Sequence, residues 1–142
     1  QTINSGNSGS AVTAVPNTGY YFVKWSDNIM TAGRTDANVT ADKSVTATFA
    51  INNYTITFDK NTGDTEANPV SKTADYNTSV GSLPTAPTKT SYLFDGWNIQ
   101  ADGNGAAFTA STSVIASITV YAKWATTLVT AVGSITGTTT VD

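Results

Sequence analysis

Two aromatic segments occur twice in this chain, in the same order. Residues 20–25 (YYFVKW) recur as residues 92–97 (YLFDGW), at an offset of 72 (92 − 20). Residues 45–50 (VTATFA) recur as residues 120–125 (VYAKWA), at an offset of 75 (120 − 45). Two segments repeated at nearly one offset indicate a tandem duplication, and such self-similarity decides the architecture. The chain is therefore predicted to consist of small modules in series.

The duplication divides the chain into two modules and a tail. Module one spans residues 1–52 and module two spans residues 53–125, while residues 126–142 are predicted as a hairpin or the first strand of a following module. Units of this size bury only about 60% of the surface that the unfolded chain exposes. We therefore expect each module to be stabilised by contacts with its neighbour. Only residues 50–53 (AINN) separate the repeats, and a join this short favours modules that pack together or stay aligned.

The composition is typical of a β protein. Charged residues make up 12% of the chain, against roughly 25% in ordinary globular proteins. Thr is heavily over-represented, and with Val, Ile, Tyr and Phe it favours strands. The sequence predicts a mainly β or small α+β fold with little helix. Residues 26–38 are predicted as a loop, and residues 79–83 and 113–115 as brief helical pieces or turns. The predicted strands are residues 11–15, 20–25, 44–49, 54–58, 70–74, 92–97 and 118–124.

The spacing of the repeated aromatic residues predicts a bulge. In a regular strand Tyr20 and Phe22 would lie on one face and Trp25 on the other. A bulge after Phe22 would return Trp25 to their side. In the second copy Gly96 precedes Trp97, where a bulge is readily accommodated. We therefore expect each Trp to cap a core at the end of its strand.

Several functional classes are excluded by composition. The chain has no His and no Cys, so Ser-His-Asp and Cys-His triads and the usual zinc sites are absent. The net charge is −3 and no Lys/Arg run occurs, which argues against nucleic acid as a partner. No apolar run approaches the roughly 18 residues of a membrane span. The sequence therefore predicts a protein that is not an enzyme, needs no cofactor and does not insert into a membrane.

One acidic turn resembles a metal site only weakly. Asp59, Asp64 and Glu66 are the densest group of carboxylates in the chain. The spacing of Asp59, Asn61 and Gly63 is partly that of a calcium loop, but Gly63 stands where an oxygen ligand is needed and no Glu closes the loop. The sequence favours a solvated turn and no metal site.

The aromatic residues Trp25, Trp97, Trp124 and Tyr92 have two interpretations. Exposed Trp and Tyr side chains could form a stacking platform for a glycan or an extracellular protein. However, the Trp residues recur at matching strand positions, and Phe49 occupies the position of Trp124 in the first copy. That pattern favours core positions in modules that are short of Leu.

The ordered motifs of both modules resemble a known family. Residues 54–124 resemble the Listeria–Bacteroides repeat, also called the internalin B-repeat, and residues 1–51 resemble its divergent relative. The motifs of the second module are residues 54–59 (YTITFD), 84–89 (PTAPTK), 92–97 and 120–124 (VYAKW); those of the first are residues 12–16 (VTAVP), 19–27 (GYYFVKWSD) and 45–49 (VTATF).

This resemblance implies tandem ubiquitin-like β-grasp modules of a secreted or surface-anchored bacterial protein. Its implied role is a stalk or spacer in an adhesin-like protein, and it implies no catalytic residues. The alternative is a module that binds a glycan or host protein through an aromatic patch or a sheet edge. Two departures concern turns: Ser91 replaces the usual Gly before Tyr92, and residues 61–63 (NTG) replace Asn-Gly-Gly.

Module one also lacks the opening strand that the resemblance implies. An absent strand leaves an unpaired sheet edge, which is a site for strand addition. Residues 126–142 look like such an opening strand. We therefore expect that they fill the edge of module one, in their own chain or in a neighbouring copy.

Overall fold

The computed structural model describes residues 1–126. Within these residues the chain forms nine β-strands and no helix, so the mainly β class predicted from the sequence is correct. Residues 79–83 and 113–115 form bends and a single β-bridge. The strands are β1 (Val12–Thr13), β2 (Tyr20–Trp25), β3 (Gly33–Arg34), β4 (Ala47–Ile51), β5 (Asn53–Asp59), β6 (Ser71–Asp75), β7 (Tyr92–Asn98), β8 (Ala107–Phe108) and β9 (Ile118–Thr126).

Module two is a five-stranded mixed sheet. Its strand order is β6-β5-β9-β7-β8, with β5 parallel to β9 and the other pairs antiparallel. Alternation along β5 turns Ile56 and Phe58 into the core, where both are almost completely buried, and leaves Thr55 and Thr57 exposed. The ubiquitin-like β-grasp remains a prediction. The core contains Ile56, Phe58, Ala67, Ala74, Trp97, Phe108, Val114, Val120 and Ala122.

Module one is smaller and is built from two strand pairs. β2 pairs with β4, and β1 pairs with β3, in both cases antiparallel. Its buried side chains are few and include Ala14, Trp25 and the charged Arg34. Among residues 1–126 no strand pairs with the second edge of β4.

The predicted bulge is present in both modules. The pairing register shifts between Phe22 and Lys24 on β2, and between Phe94 and Trp97 on β7. Gly96 adopts a φ of +95°, a left-handed conformation that Gly takes without strain. Both Trp25 and Trp97 are buried at the ends of their strands.

Three parts of the strand prediction need correction or lie outside the structure. β4 begins at Ala47 rather than Ser44, because residues 44–46 pair with no strand in the described part of the chain. The predicted loop 26–38 contains β3, which is only two residues long and carries no alternating pattern. In the segment 126–142, Thr126 ends β9 and residues 127–142 lie outside the described residues.

Candidate functional site

The structure places two of the four aromatic candidates in the module cores. Trp97 is 3% exposed, and its ring meets Phe58 and Phe94 edge-on, at 4.9 and 5.3 Å between centroids. Trp25 is buried in module one, where its Nε1 donates a hydrogen bond to the carbonyl oxygen of Thr31 at 3.0 Å. Little surface of either ring is left for a ligand to stack on.

The other two candidates are less buried but already have partners. Trp124 is half-buried, and its Nε1 donates to the carbonyl oxygens of Lys60 (3.2 Å) and Asn61 (2.9 Å). Tyr92 is 41% exposed, and the Nζ of Lys89 lies 4.5 Å from its ring centroid. An ammonium in this position attracts the ring face electrostatically. A stacking ligand would have to displace Lys89 from that side of Tyr92.

The four candidate residues do not form one surface. Trp97 and Trp124 come together through Phe94, whose ring centroid is 5.3 and 5.9 Å from theirs. Trp25 belongs to module one and packs against Phe22 at 5.8 Å. The structure therefore brings the buried Trp97 and the half-buried Trp124 together in module two. Trp124 also lies near Tyr92, since Lys89 Nζ is 5.8 Å and 4.5 Å from the two ring centroids.

The carboxylates of the acidic turn bind the chain itself. Asp59 Oδ1 accepts a hydrogen bond from the Asn61 N–H at 2.7 Å. Asp64 Oδ2 accepts from the N–H and the hydroxyl of Thr90, at 2.7 and 2.6 Å, and these bonds lower the pKa of Asp64. Glu66 forms an exposed ion pair with a nearby lysine at 2.7 Å. In the described part of the chain no three potential metal-ligating side chains form a group.

An almost continuous strand joins the two modules. β4 ends at Ile51 and β5 begins at Asn53, so Asn52 alone lies between them. The Asn52 N–H donates to the carbonyl oxygen of Gly19 in module one at 2.8 Å. The Asn52 carbonyl oxygen accepts from the N–H of Tyr76 in module two, also at 2.8 Å. One backbone group of Asn52 is hydrogen-bonded to each module. A rotation of one module against the other about the Asn52 backbone would therefore break one of these two hydrogen bonds.

Side-chain packing also holds the two modules together near Asn52. Gly19 is buried with a φ of +82°, and a Cβ atom at this position would lie 2.0 Å from Cδ1 of Tyr76. The half-buried ring of Tyr76 also contacts Tyr54, with 6.5 Å between centroids. Gly19 is therefore required both for its backbone conformation and for the close approach of Tyr76. We call Gly19, Asn52, Tyr54 and Tyr76 the module joint.

An ion-pair cluster around the buried Arg34 of module one was not predicted from the sequence. Arg34 is 6% exposed and donates to both carboxylate oxygens of Asp27, at 3.0 and 2.9 Å. It also donates to Asp36, while Lys43 pairs with both acids. The guanidinium carbon lies 5.1 Å from the ring centroid of Trp25. The cluster therefore supplies packing that the small apolar core of module one does not.

The charges of this cluster stabilise one another. Hydrogen bonds from Arg34 hold the pKa of Asp27 well below its usual range, and bonds from Arg34 and then Lys43 lower the pKa of Asp36. In return, the hydrogen bonds of Asp27 and Asp36 raise the pKa of Arg34. These carboxylates stay ionised at neutral pH, so the cluster suits a structural role better than general acid–base chemistry.

Both modules match known repeat families. Residues 54–123 match the model of the Listeria-Bacteroides repeat domain, and residues 1–53 match the model of the divergent InlB B-repeat domain. Module two is a Listeria-Bacteroides repeat and module one is a divergent InlB B-repeat. The module joint thus lies where the two matched repeats meet, at residues 52 and 53.

One relative of this chain is a much longer bacterial protein. A protein of Evansella cellulosilytica described as "Putative Gly-rich membrane protein" is 30% identical over 125 residues, which cover 75% of this chain and 14% of that protein. No solved structure matches the chain. Across residues 1–126 there is no helix long and apolar enough to cross a membrane.

Proposed function

We propose that this chain is a non-catalytic spacer of a secreted or cell-surface bacterial protein. The observation that carries the proposal is the module joint. Asn52 is the only residue between β4 and β5, and its two backbone groups are bonded to different modules. A spacer requires that the angle between modules resist bending, and short bonded joins achieve this where flexible linkers do not.

The strand arrangement of module two also suits a load-bearing role. A pulling force along the chain enters module two at Asn53, the start of β5, and leaves at Thr126, the end of β9. β5 and β9 are parallel neighbours, so these two points lie at opposite ends of the pair. Force applied in this way shears the ladder hydrogen bonds together instead of opening them one at a time.

The family and its relative agree with a surface location and a non-catalytic role. The matching families are repeat domains. The Evansella protein is described as a membrane protein, and the matched segment is a small part of it. The chain itself lacks His and Cys, and the carboxylates of its two acidic groups are engaged in hydrogen bonds and ion pairs.

Single-molecule pulling tests the load-bearing role. The chain contains no Cys, so pairs of introduced Cys residues define the pulling points. Pulling between Asn53→Cys and Thr126→Cys shears β5 against β9, whereas pulling between Asn53→Cys and Ala116→Cys unzips the same pair from one end. We expect a clearly higher unfolding force in the shearing geometry. Equal forces in the two geometries would contradict a module built to carry load.

A binding function is the alternative, and an exposed apolar hollow on module one supports it. Val15, Asn17, Tyr20 and Phe49 line a hollow of about 260 Å³ on module one. Val15, Tyr20 and Phe49 are exposed apolar side chains, which mark interaction sites when they occur together. Exposed aromatic rings of this kind stack on sugars or pack against protein partners.

A screen against immobilised glycans and extracellular matrix proteins separates the two functions. Saturable binding that Tyr20→Ala abolishes in a folded chain would favour the binding function. The matched control is Tyr21→Ala, since Tyr21 is exposed on β2 to a similar degree but does not line the hollow. The spacer function predicts no saturable binding to any surface.

A further inference from the structure

A buried asparagine organises the loop that joins β7 to β8. Asn98 is 4% exposed, and its Nδ2 donates to the carbonyl oxygens of Gly103 and Gly105, at 3.1 and 2.7 Å. Its Oδ1 accepts a hydrogen bond from the N–H of Gln100 at 2.9 Å. The loop, residues 99–106, therefore wraps around one side chain and satisfies both polar atoms of its buried amide.

This packing requires a glycine at residue 105. A Cβ atom on Gly105 would lie 2.7 Å from Cγ1 of Ile99 and 2.8 Å from Oδ1 of Asn98. Atoms in a packed structure do not approach one another so closely, so a side chain at residue 105 would push the loop away from Asn98. The loop therefore keeps its present form only with Gly at this position, whatever residue precedes it.

The residue that precedes Gly105 is Asn104, and the two form the only Asn-Gly pair in the chain. Asn104 is exposed, and its N–H and Nδ2 donate to Oδ1 and Oδ2 of Asp102, at 3.0 and 3.2 Å. These hydrogen bonds lower the pKa of Asp102, so an ionised carboxylate lies beside Asn104 at neutral pH. β8 begins at Ala107, so the N–H of Gly105 precedes the paired residues of β7 and β8.

The two residues of an Asn-Gly pair can react with each other. The backbone nitrogen of Gly105 attacks Cγ of Asn104, a bond forms between these two atoms, and the side-chain amide leaves as ammonia with the proton of the backbone N–H. The product is a succinimide ring. Water then opens the ring at either of its carbonyl carbons and leaves aspartate or isoaspartate at residue 104. Gly favours the ring closure because it has no Cβ atom to hinder the attacking nitrogen.

We infer that Asn104 is a site of spontaneous deamidation and that its isoaspartate product releases the loop from Asn98. In isoaspartate the main chain runs through the side-chain carbons, which adds a methylene group between Gly103 and Gly105. The Nδ2 atom of Asn98 then cannot hold both carbonyl oxygens at their present distances. The buried amide loses a partner, and an unsatisfied buried polar group destabilises the fold.

The new carboxylate also lies near a charge of the same sign. Nδ2 of Asn104 donates to Oδ2 of Asp102, and deamidation removes this donor. Both products add a carboxylate to residue 104, so a hydrogen bond is replaced by repulsion between two negative charges. The added charge is common to aspartate and isoaspartate, whereas the added main-chain length belongs to isoaspartate alone.

The loop leads directly into a strand that contributes to the core of module two. Trp97 pairs with Phe108 across β7 and β8. Phe108 is 3% exposed, and its ring centroid lies 6.2 Å from that of Phe58. Because β8 is only two residues long, its position depends on the loop that precedes it. Deamidation at Asn104 therefore weakens the β7–β8 end of module two as the protein ages.

Peptide mapping by mass spectrometry tests the inference on the folded chain during incubation at mildly alkaline pH. Asn104 is expected to convert before any other Asn, including Asn4 and Asn7, which are followed by Ser. The product at residue 104 should be a mixture of aspartate and isoaspartate, which isoaspartyl methyltransferase distinguishes. Amide hydrogen exchange at Ala107 and Phe108 should become faster in proportion to the isoaspartate fraction, because these residues form β8.

Two variants separate the reaction from its structural effect. Asn104→Ser has no side-chain amide, so exchange at residues 107 and 108 should stay constant during the incubation. Freshly prepared Asn104→Asp carries the new charge without added main-chain length, and its exchange there should rise less than that of the isoaspartate form. Earlier conversion of another Asn would overturn the inference. Isoaspartate at residue 104 with unchanged exchange in β8, or an equal change of exchange in Asn104→Ser, would overturn it as well.

Discussion

The ring of Tyr76 in module two occupies the space that a side chain at Gly19 in module one would need. A Cβ atom on residue 19 would lie 2.0 Å from Cδ1 of Tyr76, and Gly19 has a φ of +82°. Atoms of this kind cannot approach so closely, so any side chain at residue 19 must displace the ring. The contact makes the joint between the modules dependent on one glycine.

We expect Gly19→Ala to loosen the module joint and to lower the melting temperature. The matched control is Gly81→Ala, because Gly81 also has a positive φ, of 71°, but open space where its Cβ would lie. Left-handed backbone strain alone destabilises by about 1–2 kcal/mol for a non-Gly residue. Gly19→Ala should destabilise more than Gly81→Ala in urea unfolding. Equal losses would mean that Tyr76 moves aside freely.

Acid should destabilise module one through its ion-pair cluster. Arg34 holds the pKa of Asp27 and Asp36 below the value of about 3.9 that Asp has in an unfolded chain. The unfolded state therefore binds protons first as the pH falls, and this part of the stability is present above about pH 4 and lost below it. Urea unfolding of module one, followed by its amide signals between pH 7 and pH 2, measures the loss.

Arg34→Gln should remove most of this acid dependence and lower the stability of module one at neutral pH. Loss of the guanidinium leaves Asp27 without its two strongest hydrogen bonds and uncovers Trp25. Lys24→Gln removes a charge of the same module that is bonded to Asn28 and to neither of these acids, and it should leave the pH profile unchanged. An unchanged profile in Arg34→Gln would show that the cluster does not stabilise the fold.

Replacement of a strained turn residue should stabilise module two. Thr62 has a φ of +67°, a conformation that is unfavourable for a β-branched residue. Thr62→Gly should raise the free energy of unfolding by about 1 kcal/mol in urea titration, since Gly adopts this conformation without strain. Asn38→Gly is the control in module one, because Asn tolerates its φ of +49° and little gain is expected. A loss of stability in Thr62→Gly would mean that its bond to Lys89 outweighs the strain.

Trp97 and Tyr92 should respond differently to truncation. Trp97→Ala removes a buried ring that packs on Phe58 and Phe94 and should destabilise module two by about 3–5 kcal/mol. Tyr92→Ala removes a ring that is 41% exposed, and a much smaller loss is expected. Thermal unfolding of the two variants gives the comparison. Similar losses would contradict the core position of Trp97.

Much of the fold could be predicted because strands leave a pattern in the sequence. The six residues of β2, which are rich in aromatic side chains, were predicted with correct bounds. β5 and β9 were predicted to within two residues, and the alternation of Thr with apolar residues along β5 fixes which face is buried. The aromatic spacing predicted both bulges because Trp25 and Trp97 must return to the core side. In contrast, β3 and β8 are two residues long and carry no such pattern.

The candidate site could be predicted less well because its contacts join distant parts of the sequence. The short join between the modules could be read from the sequence. The contact of Gly19 with Tyr76 could not, because the two residues are far apart in the sequence and belong to different modules. Arg34 was missed because a buried Arg cannot be distinguished from an exposed one until its partners are known. Only the fold brings Asp27 and Asp36 to its guanidinium.

The most direct test of the fixed joint is a set of residual dipolar couplings from both modules in one weakly aligned sample. Because Asn52 is bonded to Gly19 and Tyr76, the couplings of both modules should fit one common alignment tensor. Gly19→Ala should split this fit into two tensors of different magnitude, and Gly81→Ala should not. Two different tensors in the unmodified chain would show that the modules reorient independently, and that result would contradict the spacer account.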